Sequence, residues 1–219
     1  MSTDLWGIFF TALLETFYMT SISGIIGSVL GVPIGLFLAT SDNEGLFPAP
    51  VMRSLISLVV NTIRSIPFMI LVISMIPITR YLIGTSIGIK ATIVPLSVIV
   101  TAFVARLIEV PIREVSKDLI EMGVSVGASP LQIVLKILIV ESKSGIVRSL
   151  TMTFIGLINY SSVAGAIGGG GLGDLAIRYG HQRFMPEVTF FVMLAIVILV
   201  QVIQVIGEFV EKLISKHHS

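Results

Sequence analysis

The residues best placed to do chemistry stand in the longest polar-rich interruption of the chain, Glu121-Met-Gly-Val-Ser-Val-Gly-Ala-Ser129, followed by Pro130. Their types suit gripping rather than bond-making. The spacing predicts a helix, a sharp turn and a second helix. Gly127 stands where a left-handed helix end favours glycine. Ser129 is a good N-cap, Pro130 suits the first helical position, and Gln132 completes a capping box. Val115, Leu119, Met122 and Val126 recur at heptad-like spacing and give one apolar face. Leu131, Val134, Leu135 and Leu138 continue a stripe in the second arm. Such a hairpin either grips something soluble or packs on its own protein, and spacing alone leaves both open.

Three further groups are chemically distinct. The Gly165–Gly173 run lacks the lysine of a phosphate loop, and the chain has no G-x-x-x-x-G-K-[ST] motif. Any energy source must therefore act in trans. Bare glycines allow close backbone approach, or a bend where a helix becomes a loop. Gly168, Gly169, Gly170 and Gly171, with Arg178, His181 and Arg183, form either a gate and docking surface or a flexible turn with interfacial cations. Asn159, Tyr160, Ser161 and Ser162 are the densest neutral polar cluster within an apolar stretch. They either line a path for a polar solute or hydrogen-bond between helices or across a dimer. Thr151 and Thr153 are weaker candidates for that path. Arg64, just before Ile66-Pro67, is placed to snorkel to an interface or to pair with an acid. The chain has no cysteine and no H-E-x-x-H. His181 stands alone, and His217 and His218 belong to the tail. No catalytic residue and no metal site is expected.

The elements that position these groups follow from composition. Hydrophobic residues make up 54% of the chain, charged residues 12%, and the mean hydropathy is +1.01. A soluble shell needs about a quarter charged residues, so the lipid bilayer is the expected solvent. A net charge of +1 without a basic tract gives no reason to expect nucleic acid. The start, Met-Ser-Thr-Asp-Leu-Trp, lacks the basic region of a signal peptide, and no lipidation cysteine follows. A span needs about 20 apolar residues. Five stretches qualify, near Thr16–Thr40, Leu55–Ile78, Ala91–Val110, Ile146–Ile167 and Val188–Ile206. Glu15 falls at the start of the first, at the interface or on an amphipathic lead-in. With the N-terminus outside, the inner segments hold Arg53, Arg106, Arg113, Lys117, Lys136, Lys143, Arg148, Lys212 and Lys216. The outer ones hold Arg80, Lys90, Arg178 and Arg183. The expected fold is one all-α membrane domain, 1–219, with five transmembrane helices, N-out and C-in. The helix-turn-helix at about 112–141 is cytoplasmic, between the third and fourth spans. A stand-alone secondary transporter would want intramembrane acids or internal repeats. Here Glu109 and Glu208 lie at span ends and no repeat is visible.

Glu121, Met122, Gly123 and Gly127 resemble the cytoplasmic signature of permeases in ATP-binding-cassette importers, a Glu-Ala-Ala start with a glycine a few residues on. Met122 and Gly123 depart from the small pair, at a helix cost of about 1 kcal/mol for the glycine. Val140 stands where a proline is common before Glu141. Other blocks are similar to the permease subunits of methionine importers. They are Asn61-Thr-Ile-Arg-Ser-Ile-Pro-Phe68, Met75-Ile-Pro-Ile-Thr-Arg80, Gly84-Thr-Ser-Ile-Gly88, Ala91-Thr-Ile-Val-Pro95, the run from Gly165 to Gly180, and Gln182-Arg-Phe184. The resemblance implies a multi-pass protein of the bacterial inner membrane. It implies a homodimer of this chain, two copies of a cytosolic ABC ATPase that hold ATP and Mg, and an extracytoplasmic methionine-binding protein. No cofactor is implied in this chain. The cargo implied is L- or D-methionine or a close analogue, moved by alternating access, with another small amino acid as the alternative. Glu121, Gly127, Ala128, Ser129 and Pro130 would couple to the ATPase.

Overall fold

The computed structural model describes residues 3–215, with side chains from Leu5 onward, and contains helices but no strand among them. The tail residues Lys216, His217 and His218 lie outside the described residues.

Two long helices form the axis of the molecule. Helix α1 runs Thr3–Thr40 with Pro33 inside it. It begins well before the predicted Thr16, because the lead-in is itself apolar and helical. Gly27, Gly31 and Gly35 recur every fourth residue along one face of α1. A Cβ at these positions would lie 2.3 Å from Val100 Cγ1, 2.7 Å from Val104 Cβ and 2.6 Å from the Ala105 carbonyl. The glycine stripe thus lets α1 press backbone-close against a second helix, as small residues do in membranes. That helix is the fifth in chain order, Ile89–Arg113, and it carries the centre of the core. Leu96, Ile99, Val100, Val104 and Ile108 are all buried there, packed with Met19 and Leu157.

Between them the chain runs through α2 (Pro50–Ser65), α3 (Phe68–Ser74) and α4 (Ile76–Ile83); the axial helix just described is α5. The single span expected over Leu55–Ile78 is not straight. Helices α2 and α3 meet at 106°. Pro67 has no N–H to give and forces the preceding residue out of the helical region. Ile66 is accordingly extended, at φ −79° and ψ 126°.

After α5 come α6 (Lys117–Ser125) and α7 (Pro130–Ile133). A π-helical turn, Val134–Leu138, joins α7 to α8 (Ile139–Ala166) without a break. The fourth span was expected to start at Ile146. Instead, the second arm of the hairpin is the foot of that span. Val140, lacking a proline's constraint, sits inside the continuous helix. Helix α9 (Gly171–Leu175), a second π-helical turn (Ala176–His181) and α10 (Pro186–Ser215) complete the chain.

Three helices, Leu5–Thr40, Ile89–Arg113 and Pro186–Ser215, are long and apolar enough to cross a membrane. The α2–α3 pair and the pair Pro130–Ala166 with Gly171–His181, bent by 42°, raise the count to five if each is one span. Large apolar side chains on α10, among them Phe190, Val197, Val205 and Phe209, are exposed. That suits a surface whose solvent is lipid.

Candidate functional site

The hairpin between α5 and α8 is built from local signals that agree. Ser116 Oγ accepts from Asp118 N at 3.3 Å and opens α6. Gly127, at φ +79°, closes it, and Ala128 N donates back to the Gly123 carbonyl at 3.0 Å. The predicted capping box is present. Gln132 N donates to Ser129 Oγ at 3.4 Å, and Ser129 N donates to Gln132 Oε1 at 2.8 Å. The two arms meet at Gly123, where a Cβ would lie 2.7 Å from Ile137 Cδ1 and 3.3 Å from Ile133 Cγ1. The departure at Gly123 is therefore the contact point of the arms.

The predicted apolar stripe divides. Val115 and Leu119 are half-buried, while Met122 is 57% and Val126 79% exposed. Ile120 and Gly123, not Met122 and Val126, turn inward. In the second arm Val134 and Leu138 are buried, and Leu131 and Leu135 are open. A groove of about 430 Å³ runs along the tip, lined by Met122, Gly123, Val126, Gly127, Gln132 and Lys136. Glu121, Gly127, Ser129 and Pro130 are exposed and Ala128 is half-buried. The Glu121 carbonyl accepts from Ser125 Oγ at 2.8 Å. Its carboxylate forms no ion pair among the described residues.

The root of the hairpin is fastened by an ion cluster that the sequence reading missed. Glu109, 3% exposed, receives Arg113 Nε at 2.8 Å, Arg53 at 3.4 Å and Arg106. Asp42 receives Arg53 Nε at 3.0 Å and Arg113 at 2.8 Å. Arg53 and Arg113 also donate to the Leu38 carbonyl, each at 2.9 Å, in the last turn of α1 where carbonyls lack helical partners. The cluster joins α1, α2 and α5 beside the hairpin. Its signal was available: Arg106 and Arg113 stand three before and four after Glu109, on one helix face.

At the other end of α5 the glycine run is pinned rather than loose. Gly168, Gly170 and Gly171 have φ of 87°, 81° and 75°. Gly88 N donates to the Gly168 carbonyl at 3.0 Å. Gly171 N donates to Glu15 Oε2 at 2.8 Å, and Leu172 N to Thr16 Oγ1 at 2.9 Å. Gly169 is buried against Thr92 and the Ala164 carbonyl. Glu15 is thus a half-buried partner of the run, not part of an amphipathic lead-in. Arg178 pairs with Asp174, Arg183 lies 4.3 Å over the Tyr179 ring, and His181 is exposed.

The cluster Asn159–Ser162 spreads around α8. Ser161 and Ser162 both donate to the Ile158 carbonyl of their own helix, at 2.8 and 3.1 Å. Tyr160 packs against Phe68 and Phe103, with centroids 5.0 and 5.8 Å away. Asn159 is exposed. Thr151 and Thr153 donate to the carbonyls of Val147 and Ser149, each at 2.9 Å.

Apolar helices of membrane length around a shared core, with a capped hairpin standing open at one end, define an all-helical protein with three to five candidate membrane spans. The chain belongs to the family of binding-protein-dependent transport system inner membrane components, which it matches over residues 31–218. A protein of Vibrio cholerae named as a probable D-methionine transport system permease, MetI, is 44% identical over 198 residues, 90% of this chain and 88% of its own. The methionine import system permease MetP of Bacillus subtilis is 41% identical over 214 residues, 98% of this chain and 95% of its own. A solved structure described as inward-facing conformations of the MetNI methionine ABC transporter is similar at a TM-score of 0.95 and 39% identity. That likeness covers 98% of this chain and 99% of the other.

Proposed function

We propose that this chain is the membrane subunit of an ATP-driven importer for methionine, working as a pair of identical copies. Two cytosolic ATPases, which hold ATP and Mg, drive it, and an extracytoplasmic binding protein delivers the L- or D-amino acid. The chain is multi-pass in a bacterial inner membrane, with five spans, N-out and C-in. One observation carries this reading: the likeness to a methionine ABC transporter along 98% of the chain.

The coupling step follows from the hairpin's construction. Glu121, Gly127, Ala128, Ser129 and Pro130 present a capped, self-bonded tip with Met122, Val126 and Leu131 uncovered. Such a tip is a rigid body that a cleft can hold. When the ATPase dimer closes, the tip is displaced with it. Helix α7 passes without a break into α8, and the Glu109 cluster fastens α5 to α1 and α2. The displacement therefore reaches the spans as rotation of whole helices, which supports alternation between inward-open and outward-open forms.

The test is uptake of labelled L- and D-methionine by proteoliposomes that hold the permease, ATPase and binding protein. ATP-dependent uptake is expected. Failure of unlabelled methionine to compete would discard the substrate in favour of another amino acid. Uptake by the permease alone would replace the importer with a secondary transporter.

A further inference from the structure

Arg64 is a half-buried cation with no counterion among the described residues. It stands in the last turn of α2, just before the 106° break. Its guanidinium carbon lies 5.1 Å from the centroid of the Phe103 ring. Its Nε is buried and has no hydrogen-bond partner, and it forms no ion pair among the described residues. The expected pairing with an acid is not formed among the described residues.

The depth matters. At about 1.5 Å per residue, Arg64 lies about 16 Å along α2 from Arg53, and Phe103 about 9 Å along α5 from Glu109. The ion cluster at Glu109 marks one end of the bundle, so Arg64 stands inward of it along both helices, among apolar side chains. A cation at such depth is costly, and a ring face offsets only part of that cost. The neighbouring helices offer no acid at this level. Helices α2, α3 and α4 carry none. The acid of α5 is Glu109, already held by three arginines. The acid of α8 is Glu141, in its first turn. A second copy of these helices repeats the same deficit.

The surroundings supply the rest of a site. Ser57 and Asn61 share a face of α2 with Arg64 by helical spacing, and Asn61 is exposed. Asn61 donates to Ser57 Oγ at 3.4 Å, and this polar pair leads along the helix to the unpaired guanidinium. Beside it Phe68 of α3, Phe103 of α5 and Tyr160 of α8 form one aromatic cluster. A planar guanidinium is matched to a carboxylate, and aromatic rings make favourable contacts with a thioether.

We infer that Arg64 binds the α-carboxylate of the amino acid as it passes, with its side chain resting on the Phe68–Phe103–Tyr160 cluster. This rests on the importer reading above and adds the residue that recognises the cargo within the membrane. Tyr160 then carries the path role considered for the Asn159–Ser162 group, since both serine hydroxyls are committed to Ile158.

The test is equilibrium binding of labelled methionine to the purified permease–ATPase complex without binding protein, less the amount bound by the ATPase alone. Wild type should show permease-dependent binding that methionine displaces and methioninol, which lacks the carboxylate, does not. Arg64→Gln, in complexes shown by gel filtration to assemble, should weaken it at least about tenfold, the scale of one charge-assisted hydrogen bond. Arg64→Lys should recover part of it. Wild-type-like binding in Arg64→Gln, equal displacement by methioninol, or no permease-dependent binding in wild type would each overturn the assignment. The importer reading is checked separately, by wild-type uptake with binding protein. Binding without uptake would overturn that reading and leave Arg64 standing.

Discussion

Two of the interruptions in this apolar chain, one at each end of α5, are held in different ways. The glycine connection after α8 bonds back to the end of its own helix through the N–H groups of Ile167, Gly168 and Gly169, but is also tied from outside: Glu15 and Thr16 of α1 and Gly88 ahead of α5 take further backbone groups. The hairpin after α5 is satisfied from within. Its caps and turn bonds are its own, and its arms rest on each other at Gly123. The first is part of the bundle's framework. The second is a preformed piece with apolar side chains facing out, the handle of the coupling proposed above. A buried backbone group must find a partner, so where those partners come from distinguishes a strut from a handle.

The largest effect should come from wedging the strut. A Cβ at Gly173 would lie 2.2 Å from the Ser162 carbonyl oxygen and 2.7 Å from Ser162 Cα. These are backbone atoms of α8 and cannot swing aside. Gly173→Val should therefore destabilise the fold by about 3 kcal/mol or more, at the upper end of overpacking costs. Loss of the monodisperse peak in detergent gel filtration is the expected result. A wild-type-like peak and thermal midpoint would break the comparison, because the connection would then yield like a loop.

Next in size is the fastening of α1, α2 and α5 at the root of the hairpin. Glu109→Gln keeps the shape of the side chain but leaves Arg53, Arg106 and Arg113 around a neutral group. Breaking a buried pair costs about 3–5 kcal/mol. The arginines here are partly exposed, and solvent screening brings the expected loss to about 2 kcal/mol. The thermal midpoint should fall, and amide exchange should rise in the 41–49 segment, which Asp42 ties to the same cluster. Faster exchange at the Gly168–Leu172 connection instead would mean that the two ends of α5 are not fastened independently.

What the sequence made legible follows the same division. The hairpin's caps, its glycine turn and the apolar runs of α5 and α10 were readable because their causes lie within a few residues. The partners of the glycine run were not, since Glu15 and Gly171 are 156 residues apart. Heptad spacing on α6 gave a stripe but not the side that is covered, which depends on where α8 stands. Hydropathy over Leu55–Ile78 gave enough length for a span, while Pro67 set a break whose 106° angle depends on packing. The Glu109 cluster was half legible. Arg106 and Arg113 share its helix, but Arg53 and Asp42 arrive through the fold. Spacing places Glu109 at a span end between these arginines but does not reveal that they converge on it.

The smallest structural effect, and the sharpest test of the handle, belongs to Gly127. A Cβ there meets nothing within 4 Å, so no clash penalises a side chain. What remains is the left-handed backbone, φ +79°, which costs a residue with a Cβ roughly 1–2 kcal/mol and is an outlier for a β-branched one. Gly127→Val should therefore lower the thermal midpoint by only a few degrees, at about 2–4 °C per kcal/mol for a chain of this size. The strain is relieved most cheaply by re-aiming the tip, which moves Ala128, Ser129 and Pro130 relative to Met122. ATP-driven uptake should then fall several-fold while the permease stays folded. Gly127→Asn, which tolerates the left-handed region, should keep most of it. If the valine variant couples as well as wild type, the open face of the hairpin is not where force enters, and the contrast between strut and handle loses its functional half.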